Sequence, residues 1–352
     1  MNILQSKTYQ QSLKEASELV DLGALKGKRI LITGATGLIC SAIVDLLAYA
    51  NVHNDLGAAI YAAGRSREKT EARFSALPNS GVIPVEYDAL KDVDFPFHVD
   101  YLIHGAGNAS PEKYVSQPVD TMLANILGLS NLLRFAGETG VKKSVYISSS
   151  EVYGVLPSAE PLAETTYGSV DILGSRASYP VAKRAAETLC VSYANQYGLD
   201  VSIVRPGHIY GPTAQSSDNR VSSLFARQAA GGENLIMKST GAQIRSYCHC
   251  IDCATAILTV MLKGASKEAY NISNPNSIVT IRQMAESFAR HAGVELILEL
   301  PTDAEKAAFN PMNNSSLRSD KLEALGWRGL FDGESGFAQT IAVLRELSAE
   351  AL

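Results

Sequence analysis

No run of apolar residues in this sequence is long enough to span a bilayer, and residues 1–26 are mixed polar with no stretch of signal-peptide length. A cytoplasmic location is therefore the default, and no membrane partner is expected. Positive charge is scarce as a field: 31 Lys and Arg stand against 36 Asp and Glu, and no basic run is interleaved with aromatics. That balance argues against nucleic acid as a partner. Cysteine is sparse and odd in number, five in all and mostly inside apolar segments, which predicts reduced thiols. The one cluster, Cys248-His249-Cys250-Ile251-Asp252-Cys253, has no second Cys/His pair at zinc-site spacing; on a strand, Cys248 and Cys250 would point one way and His249 the other. No metal is expected. There is no internal repeat, low-complexity tract or independent linker. What is present is ordinary for a globular chain, 46% hydrophobic and 19% charged over 352 residues, enough for one large domain or two modest ones.

Lys28 to Thr33 is β-rich, Gly34-Ala35-Thr36-Gly37-Leu38-Ile39-Cys40 is a glycine-rich turn, and Ser41 to Leu47 repeats apolar residues with a period of about 3.6. This is the pattern of the first strand, turn and helix of a dinucleotide-binding fold, in which glycines let backbone N–H groups approach a pyrophosphate at the helix N-terminus. Cys40 stands where a third glycine usually allows close helix-to-strand packing, and should widen that contact slightly. Further strands over 58–63, 82–87, 101–104, 144–147 and 201–204 alternate with helices, predicting a parallel sheet with ligand at its carboxyl ends. The second strand ends at Gly64-Arg65-Ser66-Arg67, with no acid to bind an adenosine ribose diol and two arginines suited to a 2′-phosphate. NAD and NADP both stay open on this ground. The fourth strand ends in Gly105-Ala106-Gly107, small residues where a backbone must come close to a cofactor. Before the first strand, Leu13, Ala16 and Val20 at helical spacing predict an amphipathic helix packed on the body or on a partner subunit; a partly ordered arm would read the same.

A second stretch carries reactive groups. Ser148-Ser149-Ser150-Glu151-Val152-Tyr153-Gly154 is followed by a polar loop and then by Tyr179-Pro180-Val181-Ala182-Lys183, which opens an Ala-rich helix. A tyrosine and a lysine four residues apart share a helix face, so the ammonium could bring the phenol's pKa down towards neutrality. A phenolate prepared in this way takes a proton from a sugar or alcohol hydroxyl while the carbon beneath gives hydride to a nicotinamide. Ser149 could hold the same oxygen. Alone, such a pair is common on solvated helix faces; beside the glycine-rich turn it gains meaning.

Together the two stretches resemble the extended short-chain dehydrogenase/reductase family, in its nucleotide-sugar epimerase, dehydratase and decarboxylase branch, over the whole chain after residue 27. The resemblance implies a Rossmann-type doubly wound parallel sheet with a smaller, mostly C-terminal α/β substrate domain. Its expected boundaries are a helical arm over 1–27, a dinucleotide-binding domain over 28–207 rejoined by 245–262, and a substrate-binding domain over 208–244 and 263–352. Also implied are a tightly bound, recycled NAD, a nucleotide-diphosphate sugar with UDP favoured, and a homodimer. The cofactor set it suggests is Gly34, Thr36, Gly37, Leu38, Ile39, Arg65, Asp88 facing the adenine, Ala89, Gly105, Ala106, Gly107, Tyr179, Lys183, and Arg205 of the Arg205-Pro206…Tyr210-Gly211-Pro212 segment beside the nicotinamide. On the substrate side it suggests Asn108, Ser110, Tyr114, His208, Asn219, Arg220 and Arg245.

All members of this branch are expected to begin with Tyr179 deprotonating the sugar 4-hydroxyl, giving a 4-keto sugar, and to differ in the later steps. A 4,6-dehydratase typically holds Asp-Glu before Val-Tyr-Gly, whereas this chain has Ser150-Glu151, and serine is a poor proton donor to a leaving hydroxide. A 4-epimerase has no use for Glu151. For a uronic-acid decarboxylase, Ser150, Glu151 and Arg245 could orient the C5 carboxylate and protonate C5 once CO2 has left. The loop Asn108 to Tyr114 and the runs Gly174 to Tyr179 and Asp218 to Val221 resemble UDP-glucuronate decarboxylases, while Pro180-Val181-Ala182 and Asn310-Pro311-Met312-Asn313-Asn314 depart from them. Decarboxylation of a UDP-hexuronic acid is thus the leading expectation, followed by 4-epimerisation, 4,6-dehydration or net reduction. A non-enzymatic dinucleotide sensor would have no reason to keep Ser149, Tyr179 and Lys183 in register.

Overall fold

Residues 2–156, 160–299 and 312–349 are described by the computed structural model of the chain. In chain order the elements are α1 (Lys7–Leu19), β1 (Arg29–Thr33), α2 (Leu38–His53), β2 (Ala59–Gly64), α3 (Arg67–Phe74), β3 (Val82–Glu86), β4 (Tyr101–His104), α4 (Pro111–Ser116), α5 (Pro118–Thr139), β5 (Lys143–Ile147), α6 (Ser178–Tyr197), β6 (Val201–Pro206), β7 (His208–Tyr210), α7 (Val221–Ala230), β8 (Leu235–Met237), β9 (Ile244–His249), α8 (Cys250–Lys263), β10 (Ala269–Ile272), β11 (Ile278–Thr280), α9 (Ile281–Ala292), β12 (Leu296–Leu298), β13 (Asn314–Ser315), α10 (Asp320–Glu323) and α11 (Gly333–Ala349).

The strands β1, β5 and β6 are almost wholly buried, which is why they read as near-continuous apolar runs rather than alternating ones. Among the described residues, seven strands form one sheet in the order β10-β6-β5-β4-β1-β2-β3, and every pair in it is parallel. The chain builds β1, β2 and β3 to one side and then crosses back to lay β4 on the other flank of β1. That reversal opens a crevice beyond the carboxyl ends of β1 and β4, the place where open α/β sheets take their ligands. One face is covered by α2 and α8, with α1 outside them, in a core holding Ile43, Leu47, Ile257 and Leu13. The other face is covered by α5 and α6 around Leu129, Leu133, Ala186 and Cys190. A second sheet joins β11, β9 and β13, with β7 also on β9, and β8 pairs with β12.

Strand membership departs from the expected boundaries at two places. Although 263–352 was assigned to the substrate side, β10 is the outermost strand of the large sheet, paired with β6. Conversely β9, expected to rejoin the dinucleotide-binding part, lies in the second sheet, and only α8 after it returns to pack on α2. Cys250 is also not a strand residue. The chain turns into α8 there, capped by His249 Nδ1 accepting from the Ile251 N–H, so the alternation assumed for the cysteine cluster ends at His249. Asn310 and Pro311 of the divergent tail lie outside the described residues.

The amphipathic spacing before β1 does form a helix. Its buried face, Tyr9, Leu13 and Ala16, packs on α2, α8 and α11. The Tyr9 hydroxyl donates to the carboxylate of Asp45, a fully buried residue of α2, at 2.9 Å, and Arg73 of α3 donates to the same carboxylate at 2.6 and 3.1 Å. Burial pushes the Asp45 pKa up against the opposing pull of Arg73. Removing the guanidinium leaves that buried carboxylate without its counter-charge, so Arg73→Met is expected to lower unfolding free energy by about 3 kcal/mol, checked by urea titration against wild type.

Candidate active site

At the mouth of the crevice, Gly34 has φ +71°, and a Cβ there would meet Gly105 O at 2.8 Å and Ala106 N at 2.9 Å. Only glycine lets the turn after β1 lie this close to the end of β4. Gly37 is the N-cap of the 16-residue α2 and supplies no side-chain cap, so the first N–H groups of Leu38 and Ile39 stay available to an anion. Thr213 Oγ1 donates to Leu38 O at 2.8 Å and Gln215 Nε2 to Thr36 O at 2.9 Å, tying the loop after β7 to this turn. Cys40 does not widen the packing as expected, because its thiol lies in the space Gly105 leaves open; a Cβ on Gly105 would meet Cys40 Sγ at 2.4 Å. The cradle is thus shaped for a pyrophosphate, and the residues present fit a dinucleotide. Arg65 is exposed past β2, with no acid beside it on that strand end. Asp88 uses one carboxylate oxygen to accept the Leu90 N–H at 3.0 Å, forming a turn, with Ala89 buried next to it.

Arg205 is not where the resemblance would put it. Its guanidinium donates to both Glu187 oxygens (2.9, 3.2 and 2.6 Å), to Tyr153 Oη at 3.1 Å and to Glu164 O at 2.9 Å. With its donors spent on protein acceptors and 6% of its surface exposed, it braces β6 against α6 instead of facing a cofactor.

Tyr179 and Lys183 lie one turn apart near the start of α6, both buried. Their pairing differs from the expected one. Lys183 Nζ donates to Ile147 O at 2.8 Å and Tyr146 Oη at 3.0 Å, and sits 5.8 Å from the centroid of the Tyr179 ring. Burial pushes the Tyr179 phenol up to about 12, with a hydrogen bond to Ser149 pulling the other way, while burial brings the Lys183 ammonium down to about 7. Desolvation outweighs the attraction that sequence spacing alone suggests. Ser149 ends the loop after β5 and accepts the Glu151 N–H at 3.2 Å, so its hydroxyl is held beside the phenol.

Charge gathers on the open side of Tyr179. Glu151 follows Ser150 in a 3-10 turn, its carboxyl raised by burial and pulled back by Arg176 and Arg245. Arg245 is buried at 3% exposure, with Nη1 on the adjacent Ile244 O. Arg220 holds Asp218 at 2.9 and 3.1 Å, and its charge reaches both Tyr179 and His208. Burial lowers His208 to about 3, so its imidazole is neutral, and its Nδ1 is buried without a hydrogen-bond partner. Tyr114 of α4 stacks on Tyr179, ring centroids 5.1 Å apart, and Arg176 Nη2 donates to its hydroxyl at 2.8 Å. Asn108 and Ser110 lie on the loop from β4 to α4, half-buried, and Asn219 is exposed beside Arg220. The structure therefore brings Ser149, Glu151, Tyr179, Tyr114, His208, Arg220 and Arg245 to one locus.

A model of the NAD dependent epimerase/dehydratase family matches residues 30–273. The chain belongs to that family. It is an NAD-dependent enzyme. It is 33% identical over 301 residues to UDP-glucuronic acid decarboxylase 3 of Arabidopsis thaliana, covering 85% of this chain and 84% of that one. UDP-glucuronic acid decarboxylase 1 of Xenopus tropicalis is 30% identical over 326 residues, 91% of this chain and 72% of the relative. Among solved structures, a dTDP-glucose 4,6-dehydratase from Streptomyces venezuelae with NAD bound superposes with a TM-score of 0.75 at 24% identity, over 92% of this chain and 98% of that one. An epimerase from Methanothermobacter thermautotrophicus gives 0.77 at 20% identity over 97% of each chain. These establish the parallel-sheet fold of the family.

The sequence pattern singles out neither Tyr146 nor Glu187, since an apolar strand and a helix interior are where core residues belong. Arg176 is visible only as part of a motif. Arg65 tests the cofactor preference: Arg65→Ala is expected to weaken NADP binding about tenfold and to leave NAD binding within about twofold, read by fluorescence titration.

Proposed function

We propose that this enzyme decarboxylates a UDP-hexuronic acid after oxidising it at C4, with the large sheet carrying the dinucleotide and the second sheet with its helices carrying the nucleotide sugar. The observation that carries this reading is a buried Glu151 within electrostatic reach of Arg176, Arg245 and Tyr179. Two guanidiniums acting on one carboxyl of raised pKa suit a second carboxylate, which a neutral hexose would leave unused. The relatives named as UDP-glucuronic acid decarboxylases support it.

A bound NAD would supply a reversible hydride acceptor for C4, and the turn of Gly34 and Gly37 with the N-terminus of α2 would hold it. In its phenolate form, which the positive charge of a bound nicotinamide would favour against burial, Tyr179, held by Ser149, takes the 4-hydroxyl proton. Once C4 is a ketone, the C5 carboxylate lies β to it and leaves as CO2, its electron pair entering the enolate. Arg176 and Arg245 orient the carboxylate before that step. Glu151, whose burial favours the protonated form, gives C5 the one proton that the overall reaction consumes. Ser150, at the start of the same turn, supports the orientation of the carboxylate, while Tyr114 and His208 wall the sugar pocket. Tyr179 finally returns its proton to O4.

The five cysteines are all unpaired and buried, which supports a reducing compartment, the cytoplasm. Among the described residues no helix is long and apolar enough to cross a membrane. On α5, Val119, Leu123 and Leu127 repeat every four residues and are 65%, 39% and 53% exposed, a stripe suited to a second copy of the chain. A solution mass twice 37.6 kDa by light scattering is expected, and a monomer would remove the homodimer.

Incubation with a panel of nucleotide sugars should release CO2 and a UDP-pentose from UDP-glucuronate, read by mass analysis. Interconversion of UDP-glucose and UDP-galactose with no CO2 would replace this reading by epimerisation. Tyr179→Phe keeps the ring stack on Tyr114 and is expected to lose about a thousandfold in turnover with its nucleotide still bound; near-normal turnover would remove Tyr179 from the reaction.

A further inference from the structure

Lys183 is 6% exposed, and an ammonium has three N–H groups to place. Two are consumed by adjacent residues of β5, the Ile147 carbonyl at 2.8 Å and the Tyr146 hydroxyl at 3.0 Å. Nζ also lies 4.6 Å from the centroid of the Tyr146 ring. The Tyr146 hydroxyl is itself committed. It donates to Asn125 Oδ1 on α5 at 3.1 Å, and Asn125 Nδ2 donates to Thr121 O at 2.8 Å. A backbone carbonyl can only accept, so Thr121 fixes which way the Asn125 amide faces. The amide oxygen must then take the Tyr146 proton, which turns the lone pairs of that hydroxyl to Lys183. Tyr146 and Asn125 are 2% and 0% exposed, and burial holds the Tyr146 pKa well above its usual value, so the hydroxyl stays protonated.

We propose that Tyr146 is a positioning residue of the hydride-transfer centre: oriented by Asn125, its hydroxyl fixes the Lys183 ammonium so that the remaining N–H is the one left for the crevice. The strand β5 is interior to the sheet, flanked by β4 and β6, so both acceptors are rigidly placed. A residue with the same volume but no hydroxyl would leave the ammonium with one protein acceptor and free to swing. The inference rests only on Lys183 acting beside Tyr179, a step common to every reaction weighed for this site, and not on decarboxylation.

The groups facing Lys183 are Tyr179, Glu187 and Cys190 of its own helix, Cys40 of α2, His104 of β4 and Tyr146 of β5. His104 is lowered to about 3 by burial, with Nδ1 2.7 Å from Thr33 Oγ1, and is neutral. Burial raises the Cys40 thiol to about 12 and pushes the Cys190 thiol up as well, so both stay protonated. Both Glu187 oxygens accept from the Arg205 guanidinium. Burial brings Lys183 itself down to about 7, and a lost acceptor for its charged form moves its midpoint down.

The test is a pH titration of the Lys183 Cε carbon signal in 13C-lysine-labelled protein carrying its bound nucleotide, assigned by its disappearance in Lys183→Arg. In Tyr146→Phe the protonation constant is expected to fall about tenfold, that is by about one unit of midpoint. In Asn125→Ala, which keeps the whole tyrosine, a smaller fall in the same direction is expected. A purely structural role would lower the melting temperature and leave the midpoint where it was. A midpoint within about 0.2 unit of wild type in Tyr146→Phe, or in Asn125→Ala should the first variant not fold, overturns the proposal. The readout needs no substrate, so it is independent of whether UDP-glucuronate releases CO2.

Discussion

A charged lysine cannot be left without partners in a protein interior, and the structure around the crevice is arranged to hold one there. Burial alone pulls the Lys183 ammonium down towards neutrality. What favours its charged form comes from the Ile147 carbonyl and Tyr146 hydroxyl of β5 and from the negative charge of Glu187 one turn further along α6. Glu187 is in turn held by Arg205 of β6 and by the Ser148 hydroxyl, which donates to it at 2.6 Å. The strands and helix of this half of the molecule are therefore joined by a chain of buried charges that ends at Lys183, 5.8 Å from the centroid of the Tyr179 ring. Arg205, a cofactor contact by motif alone, belongs to that chain.

On the opposite flank of the crevice the requirement is space, not charge. Gly34, Gly37 and Gly105 keep backbone close to backbone, and Cys40 fills the one gap that Gly105 leaves. The loop after β7 reaches back to the same turn through Thr213 and Gln215. Beyond that loop, the charge of Arg220 reaches both the phenol carried by α6 and His208 of β7. Outside both flanks, α1 joins the two parts of the molecule. Besides Tyr9 on Asp45, its N-terminal Ser6 and Thr8 hydroxyls bond Glu346 of α11, and Ser12 accepts from Gln339, whose side chain meets His249.

The alternation of apolar strands and helices makes the parallel sheet legible in sequence, because strands buried on both faces have a composition that surface strands do not. The glycine-rich turn and the Tyr179/Lys183 spacing are legible for the same reason: each is a local pattern with a local geometry. Other features depend on which strand lies beside which. Nothing local to β10 tells that it completes the large sheet, nor that β9 leaves it, since both are short apolar runs. The sign of the Tyr179 shift depends on burial, which spacing does not report, so the expected acidic phenol is instead a protonated one at about 12. Tyr146 reads as one more aromatic in a core strand, and only the position of Asn125, 21 residues earlier, gives its hydroxyl a direction.

The central claim is that oxidation and reduction occur at the same sugar carbon within one turnover. UDP-glucuronate carrying deuterium at C4, converted in ordinary water, tests it through the isotopic composition of the product. The account predicts a UDP-pentose that keeps its deuterium at C4 and gains one solvent proton at C5; product that has lost the C4 label to solvent, or that carries no solvent hydrogen at C5, would contradict it.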